Sequence, residues 1–128
     1  MKRILTAFAA LVLSAGAALA DPIEGTWQTE VDDGSYALVN VVPCGAGFCG
    51  VIARTFNSAG EYESPNKGRQ IIREMVAQGG GRYEGQVWRP SNDKVYVGKV
   101  DLSGNSMALR GCVAGGLLCA RQNWTRVR

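Results

Sequence analysis

The stretch TWQTEVDDGSYALVNVVPCGAGFCGVIARTF, residues 26–56, decides the fold. Trp27, Thr29 and Val31 alternate with Thr26, Gln28 and Glu30, which is the two-residue period of a half-buried strand. Asp32-Asp33-Gly34 then turns the chain, and no further ligands follow at the spacing a calcium loop needs. Residues 35–43 and 49–56 read as two more strands, joined as a hairpin by the Gly-rich loop between Cys44 and Cys49.

The same reading extends to the C-terminus. Residues 57–68, rich in Asn, Ser, Gly, Glu, Pro and Lys, form a long polar connection, and residues 82–89, 94–102, 105–112 and 119–127 read as strands. Turns fall at Pro90-Ser91-Asn92-Asp93, at Ser103-Gly104 and between Cys112 and Cys119. One segment departs from the pattern. In residues 69–78 the apolar positions Ile71, Ile72, Met75 and Val76 sit at helical spacing with Gly79 placed as a helix C′ residue, so local signals favour a short helix there, with a strand as the alternative. The chain is therefore all-β, with seven or eight short strands in an antiparallel meander. Such a sheet must close or double over to protect its edges. A closed eight-strand barrel is just wide enough to be filled by side chains or to hold one small ligand.

Residues 1–20 are set apart from this domain. Lys2 and Arg3 precede an apolar run, and Ala18-Leu19-Ala20 supplies the small residues of a signal-peptidase site, so cleavage after Ala20 is expected. The apolar stretch 4–20 contains Ser14 and Gly16 and runs into Asp21-Pro22 with no basic flank, which argues against a stable membrane anchor. A single domain over residues 21–128, free in the periplasm, is the expectation. Without Lys2 and Arg3, twelve basic side chains face eleven acidic ones, a balance that gives no electrostatic footprint for nucleic acid.

The chain contains no His, which removes Ser-His and Cys-His catalytic pairs and His-metal sites. Its four Cys, at 44, 49, 112 and 119, suit two disulfides in a small exported domain better than a zinc ribbon or a thioredoxin-type centre. In a strict eight-strand meander the two Cys loops lie at opposite ends, so Cys44 pairs with Cys49 and Cys112 with Cys119. A helix over residues 69–78 would change that parity and open a cross-pairing. No metal or cofactor is implied.

Gly25-Thr26-Trp27 on the first strand is similar to the Gly-x-Trp of lipocalin-type barrels, and Arg126 on the last strand is placed to lie across that indole. Residues 22–127 also resemble the exported bacterial domain-of-unknown-function family 2147. The resemblance rests on Gly25-Thr26-Trp27, Pro43-Cys44-Gly45, Phe48-Cys49-Gly50, Pro90 with Lys94, Tyr96, Gly98 and Lys99, Arg110-Gly111-Cys112, and Cys119 with Gln122, Trp124, Thr125 and Arg126. It implies a lipocalin-like up-and-down barrel without assigned activity, and a strand over residues 71–77. Arg89 stands where the family usually has an Asp before that Pro.

Trp27, Tyr36, Asn40, Tyr96 and Trp124 are the candidates for a ligand cavity, Asn40 because it interrupts the face made by Tyr36, Leu38 and Val42. Trp27 and Arg126 are the candidates for closing one end, while Arg54, Arg110 and Arg121 read as solvated. Trp27, Trp88 and Trp124 read as core residues or barrel plugs ahead of ligand stackers, since aromatics dominate small cores whatever the function. With no His and no free thiol, catalysis is not expected, and the carboxylates show no spacing that singles out an acid and a base. The expected function is the binding of a small hydrophobic or amphipathic ligand. The alternative is a filled barrel that acts as a structural or interaction module toward an envelope protein partner. Intact-mass measurement of protein from the periplasmic fraction is expected to show a chain beginning at Asp21, and a retained Met1 would contradict the leader.

Overall fold

The structure, a computed structural model, describes residues 20–128, so the expected leader lies outside the described residues except for Ala20. It contains β1 (Gly25–Gln28), β2 (Ser35–Cys44), β3 (Gly47–Asn57), β4 (Gly60–Tyr62), β5 (Gln70–Gly79), β6 (Arg82–Arg89), β7 (Lys94–Ser103), β8 (Ser106–Val113) and β9 (Leu118–Arg126). Eight of these close a ring of antiparallel neighbours in the order β1, β2, β3, β5, β6, β7, β8, β9 and back to β1. The short β4 hangs on the end of β3 as a hairpin inside the polar connection. β1 is shorter than its alternation suggests. It leaves the ladder after Gln28, and the chain reaches the next turn through Thr29–Val31.

The meander places its turns alternately at the two ends. The Cys44–Gly47 turn, the β5–β6 and β7–β8 turns, the segment leading into β1 and the residues that follow β9 gather at one end, the lower. The β1–β2, β6–β7 and β8–β9 turns and the β4 hairpin gather at the upper end. Cys44 is bonded to Cys49 at the lower end and Cys112 to Cys119 at the upper, the local pairing that a strict meander requires. At the β1–β2 turn, Asp33 and Gly34 have φ of 55° and 78°. Two successive left-handed residues are what a tight hairpin turn demands, and Asp-Gly meets that demand.

The helix favoured by local signals over residues 69–78 is a strand. β5 pairs with β3 on one side (Phe48 with Met75) and with β6 on the other (Ile72 with Val87). The misleading spacing has a physical source. The β5–β6 register shifts between Arg73 and Val76, and Glu74 sits there at φ 50°. The extra residue of a bulge lets Ile72 and Met75, three apart, both be fully buried. Opposite the bulge stands Gly85, where an added Cβ would collide with the carbonyl oxygens of Glu74 and Arg73.

A continuous core fills the lower half, with Ile23, Trp27, Val39, Ile72, Met75 and Met107 wholly removed from solvent. Trp27 closes that end. Its Nε1 donates to the carbonyl of Ile23 at 2.9 Å, and the Arg126 guanidinium lies over its ring at 4.4 Å. Arg126 also donates Nη1 to the carbonyl of Glu24 at 2.8 Å and Nη2 to that of Pro22, so one side chain stacks on the plug and ties down the segment beneath it. Tyr83 donates its hydroxyl to the Asp21 carboxylate at the same end. Burial and that carboxylate push the phenol well above the ordinary tyrosine range. In urea unfolding, Trp27→Ala is expected to cost about 3–5 kcal/mol as a large core truncation. Arg126→Met keeps the stem packing and is expected to cost about 1–2 kcal/mol through the lost stacking and hydrogen bonds.

Candidate functional site

The upper half of the barrel is not filled. A cavity of about 440 Å³ lies there, walled by Ala37, Ile52, Ile71, Val87, Leu109 and Trp124, with Thr29, Ser35, Ser64, Asn66, Ser91 and Gln122 adding polar groups. The walls follow from strand alternation: in β2 the inward residues Ala37, Val39 and Val41 are buried, whereas Asn40 and Val42 are exposed. Small residues leave the room. Gly111 on β8 and Ala120 on β9 are register partners and both line the cavity.

The expected cavity residues divide. Trp124 is 1% exposed and forms part of the floor, its Nε1 donating to Gln122 Oε1 at 2.9 Å. Tyr96 lines the wall and accepts a hydrogen bond from Asn92 Nδ2 at 2.7 Å. Tyr36 borders the cavity, but its ring stacks on Phe56 with centroids 4.9 Å apart, on the strand face opposite Ala37, so it braces the rim. Trp27 is not among the lining residues and belongs to the seal below. Asn40 must be corrected: it points outward, where it accepts a hydrogen bond from Thr26 Oγ1 at 2.8 Å. The face of Tyr36, Leu38 and Val42 is not the inner one, because the pairing of Trp27 with Val39 fixes the odd-numbered positions of β2 inward.

Several residues of the site were not among the cavity candidates read from the sequence, which gave Trp88 only as a core residue. Trp88 is buried against the cavity, covered by the Arg69 guanidinium at 4.0 Å and held by Asp93 at 2.8 Å from its Nε1. At the mouth, Arg89 donates Nε and Nη2 to the two oxygens of Asp32, both at 2.9 Å, and Ser91 Oγ donates to Asp32 Oδ2 at 3.1 Å. Nothing local announces this pair, since its members are 57 residues apart; only the inward register of Arg89 with Val87 and Tyr83 hints at it. The Arg89 hydrogen bonds hold the Asp32 carboxyl below its ordinary range against the opposing effect of burial. The other mouth carboxylate, Glu30, accepts the backbone N–H of Asn123. Among the described residues no cluster of three or more Cys, Asp or Glu is placed to hold a metal.

An eight-strand antiparallel barrel sealed by a Trp-Arg plug and hollow at the other end is a lipocalin-like barrel. The chain belongs to the family described as uncharacterized protein conserved in bacteria (DUF2147), which matches residues 25–126. Among solved structures it is similar to protein HP1028 from the human pathogen Helicobacter pylori, described as belonging to the lipocalin family. That likeness has a TM-score of 0.64 at 15% identity over 83% of each chain, and it concerns the fold alone. No curated protein matches the chain.

Because the Asp32 folded pKa is lowered, the Asp32–Arg89 pair persists well into acid and is lost only as pH falls through that lowered value. Carboxyl NMR is expected to place the Asp32 midpoint below the roughly 3.9 of a free Asp. In Arg89→Met that midpoint is expected to rise.

Proposed function

We propose that this chain is an exported bacterial protein of the periplasm that binds one small hydrophobic or amphipathic molecule in the upper half of its barrel and does not transform it. The observation that carries the reading is the cavity: about 440 Å³ of space with apolar walls and a few convergent polar groups at one open end. That size lies in the range of small-molecule sites, roughly 300–1,000 Å³, and it speaks against a filled barrel serving only as an interaction module. The lipocalin-like fold adds support by analogy.

Export is supported by the order of basic, apolar and small residues in positions 1–20 and by two disulfides in a domain of this size. The backbone nitrogen of Asp21 donates to Glu24 Oε2 at 2.9 Å. Cleavage after Ala20 turns that nitrogen into an ammonium and that hydrogen bond into an ion pair between two charged groups. Catalysis is left out of the reading because there is no His, all four Cys are in disulfides, and both mouth carboxylates are engaged.

Titration with N-phenylnaphthylamine, followed through tryptophan quenching, is expected to saturate near one equivalent. Ala120→Trp fills the cavity from its wall and is expected to weaken binding by about tenfold or more, with little change in the thermal midpoint. The absence of any saturable response across several apolar probes would leave the envelope interaction module as the better reading.

A further inference from the structure

The Asp32–Arg89 pair crosses the mouth of the cavity. Asp32 lies in the turn that follows β1, and Arg89 is the last residue of β6. In the closed ring β6 is four strands from β1 by either route, so the two residues come from opposite walls, and both line the cavity. The contact is a two-pronged guanidinium–carboxylate bridge with Ser91 as a third donor, the arrangement that fixes geometry as well as charge.

Stability does not account for this bridge. The side chains of Arg89 and Asp32 keep 50% and 25% of their exposure, and ion pairs in contact with water add little to folding. What the bridge does change is passage. A long alkyl chain with its head in water has to thread beside the bridge or break it. A compact molecule lying among Ile52, Val87, Leu109 and Trp124 does neither once it is inside.

We propose that Asp32 and Arg89 form a strap across the barrel mouth that sets the class of ligand: compact apolar molecules that fit wholly beneath it are held, and long-chain amphiphiles are excluded. This rests on the ligand-binding reading and narrows it. For a compact ligand the strap opens transiently for exchange, so it governs that ligand's rates of uptake and release more than its affinity, whereas a long chain can bind only with the strap broken.

The test uses two probes, N-phenylnaphthylamine as the compact one and dansyl-undecanoate as the long-chain one, on the wild type, Asp32→Asn, Arg89→Met and the charge-reversed double variant Asp32→Arg with Arg89→Asp. Thermal midpoints check folding. The wild type is expected to bind the compact probe and exclude the long one. In each single variant the compact probe is expected to leave roughly fivefold faster, the factor that about 1 kcal/mol represents, and the long probe is expected to bind. The double variant, which restores the pair with reversed charges, is expected to recover slow release and exclusion. A readout without ligand accompanies these: acrylamide quenching of Trp88 and Trp124, which line the cavity, is expected to rise in the single variants and fall back in the double.

Unchanged release, unchanged probe preference and unchanged quenching in folded single variants would overturn the strap while leaving the binding reading intact. Failure of every form to bind either probe would overturn the binding reading, and with it the ligand class inferred here.

Discussion

The barrel depends on a seam of two rungs. β1 and β9 share only the Trp27–Arg126 and Gln28–Thr125 pairs, against eight pairs between β8 and β9, yet without that contact the sheet would be open and both edge strands would be exposed. The seam is reinforced from outside the ladder. The N–H of Thr26 donates to the Arg128 carbonyl at 2.8 Å, and the N–H of Val127 donates to the Thr26 carbonyl at 2.7 Å. The Arg126 side chain covers the indole that its own backbone neighbours. Closure and end-sealing are thus one interaction, in which the residue that completes the ring also caps the plug.

The asymmetry of the molecule follows. Sealing the lower end with the indole brings the large core side chains to that half, where Met75 packs against Gly98 so tightly that an added Cβ would lie 2.5 Å from its Cε. The upper half receives small residues and strand ends instead. Its space is bordered by groups that brace one another around the rim, Tyr36 on Phe56 and Arg69 on Trp88 between neighbouring strands and Arg89 on Asp32 across the mouth. Each disulfide secures the turn at one end, so neither links strands that the sheet does not already pair.

Much of this was legible in the residues. The period of two, the turns at Asp33-Gly34 and Ser103-Gly104 and the local Cys pairing rest on short-range chemistry or on the order of strands, and the Trp27–Arg126 seal was implied by the resemblance to lipocalin-type barrels. The strand that the family resemblance implied over residues 71–77 is present, and two readings from local signals failed for identifiable reasons. In β5 a bulge at Glu74 placed buried residues three apart and imitated a helix. In β2 both faces carry apolar residues, so alternation alone could not say whether Asn40 or its neighbours faced inward.

The sequence by itself determined an all-β meander, its turns and its local Cys pairing, because each of these is set by residue type, by spacing within a few positions and by the order of the strands. Tertiary structure decided which face of β2 is the inner one, that residues 70–79 extend between two strands, and that Asp32 meets Arg89 over a cavity. Those outcomes depend on ring closure, which fixes the registers of distant strands together and brings opposite walls within reach of one side chain. No local pattern encodes that distance.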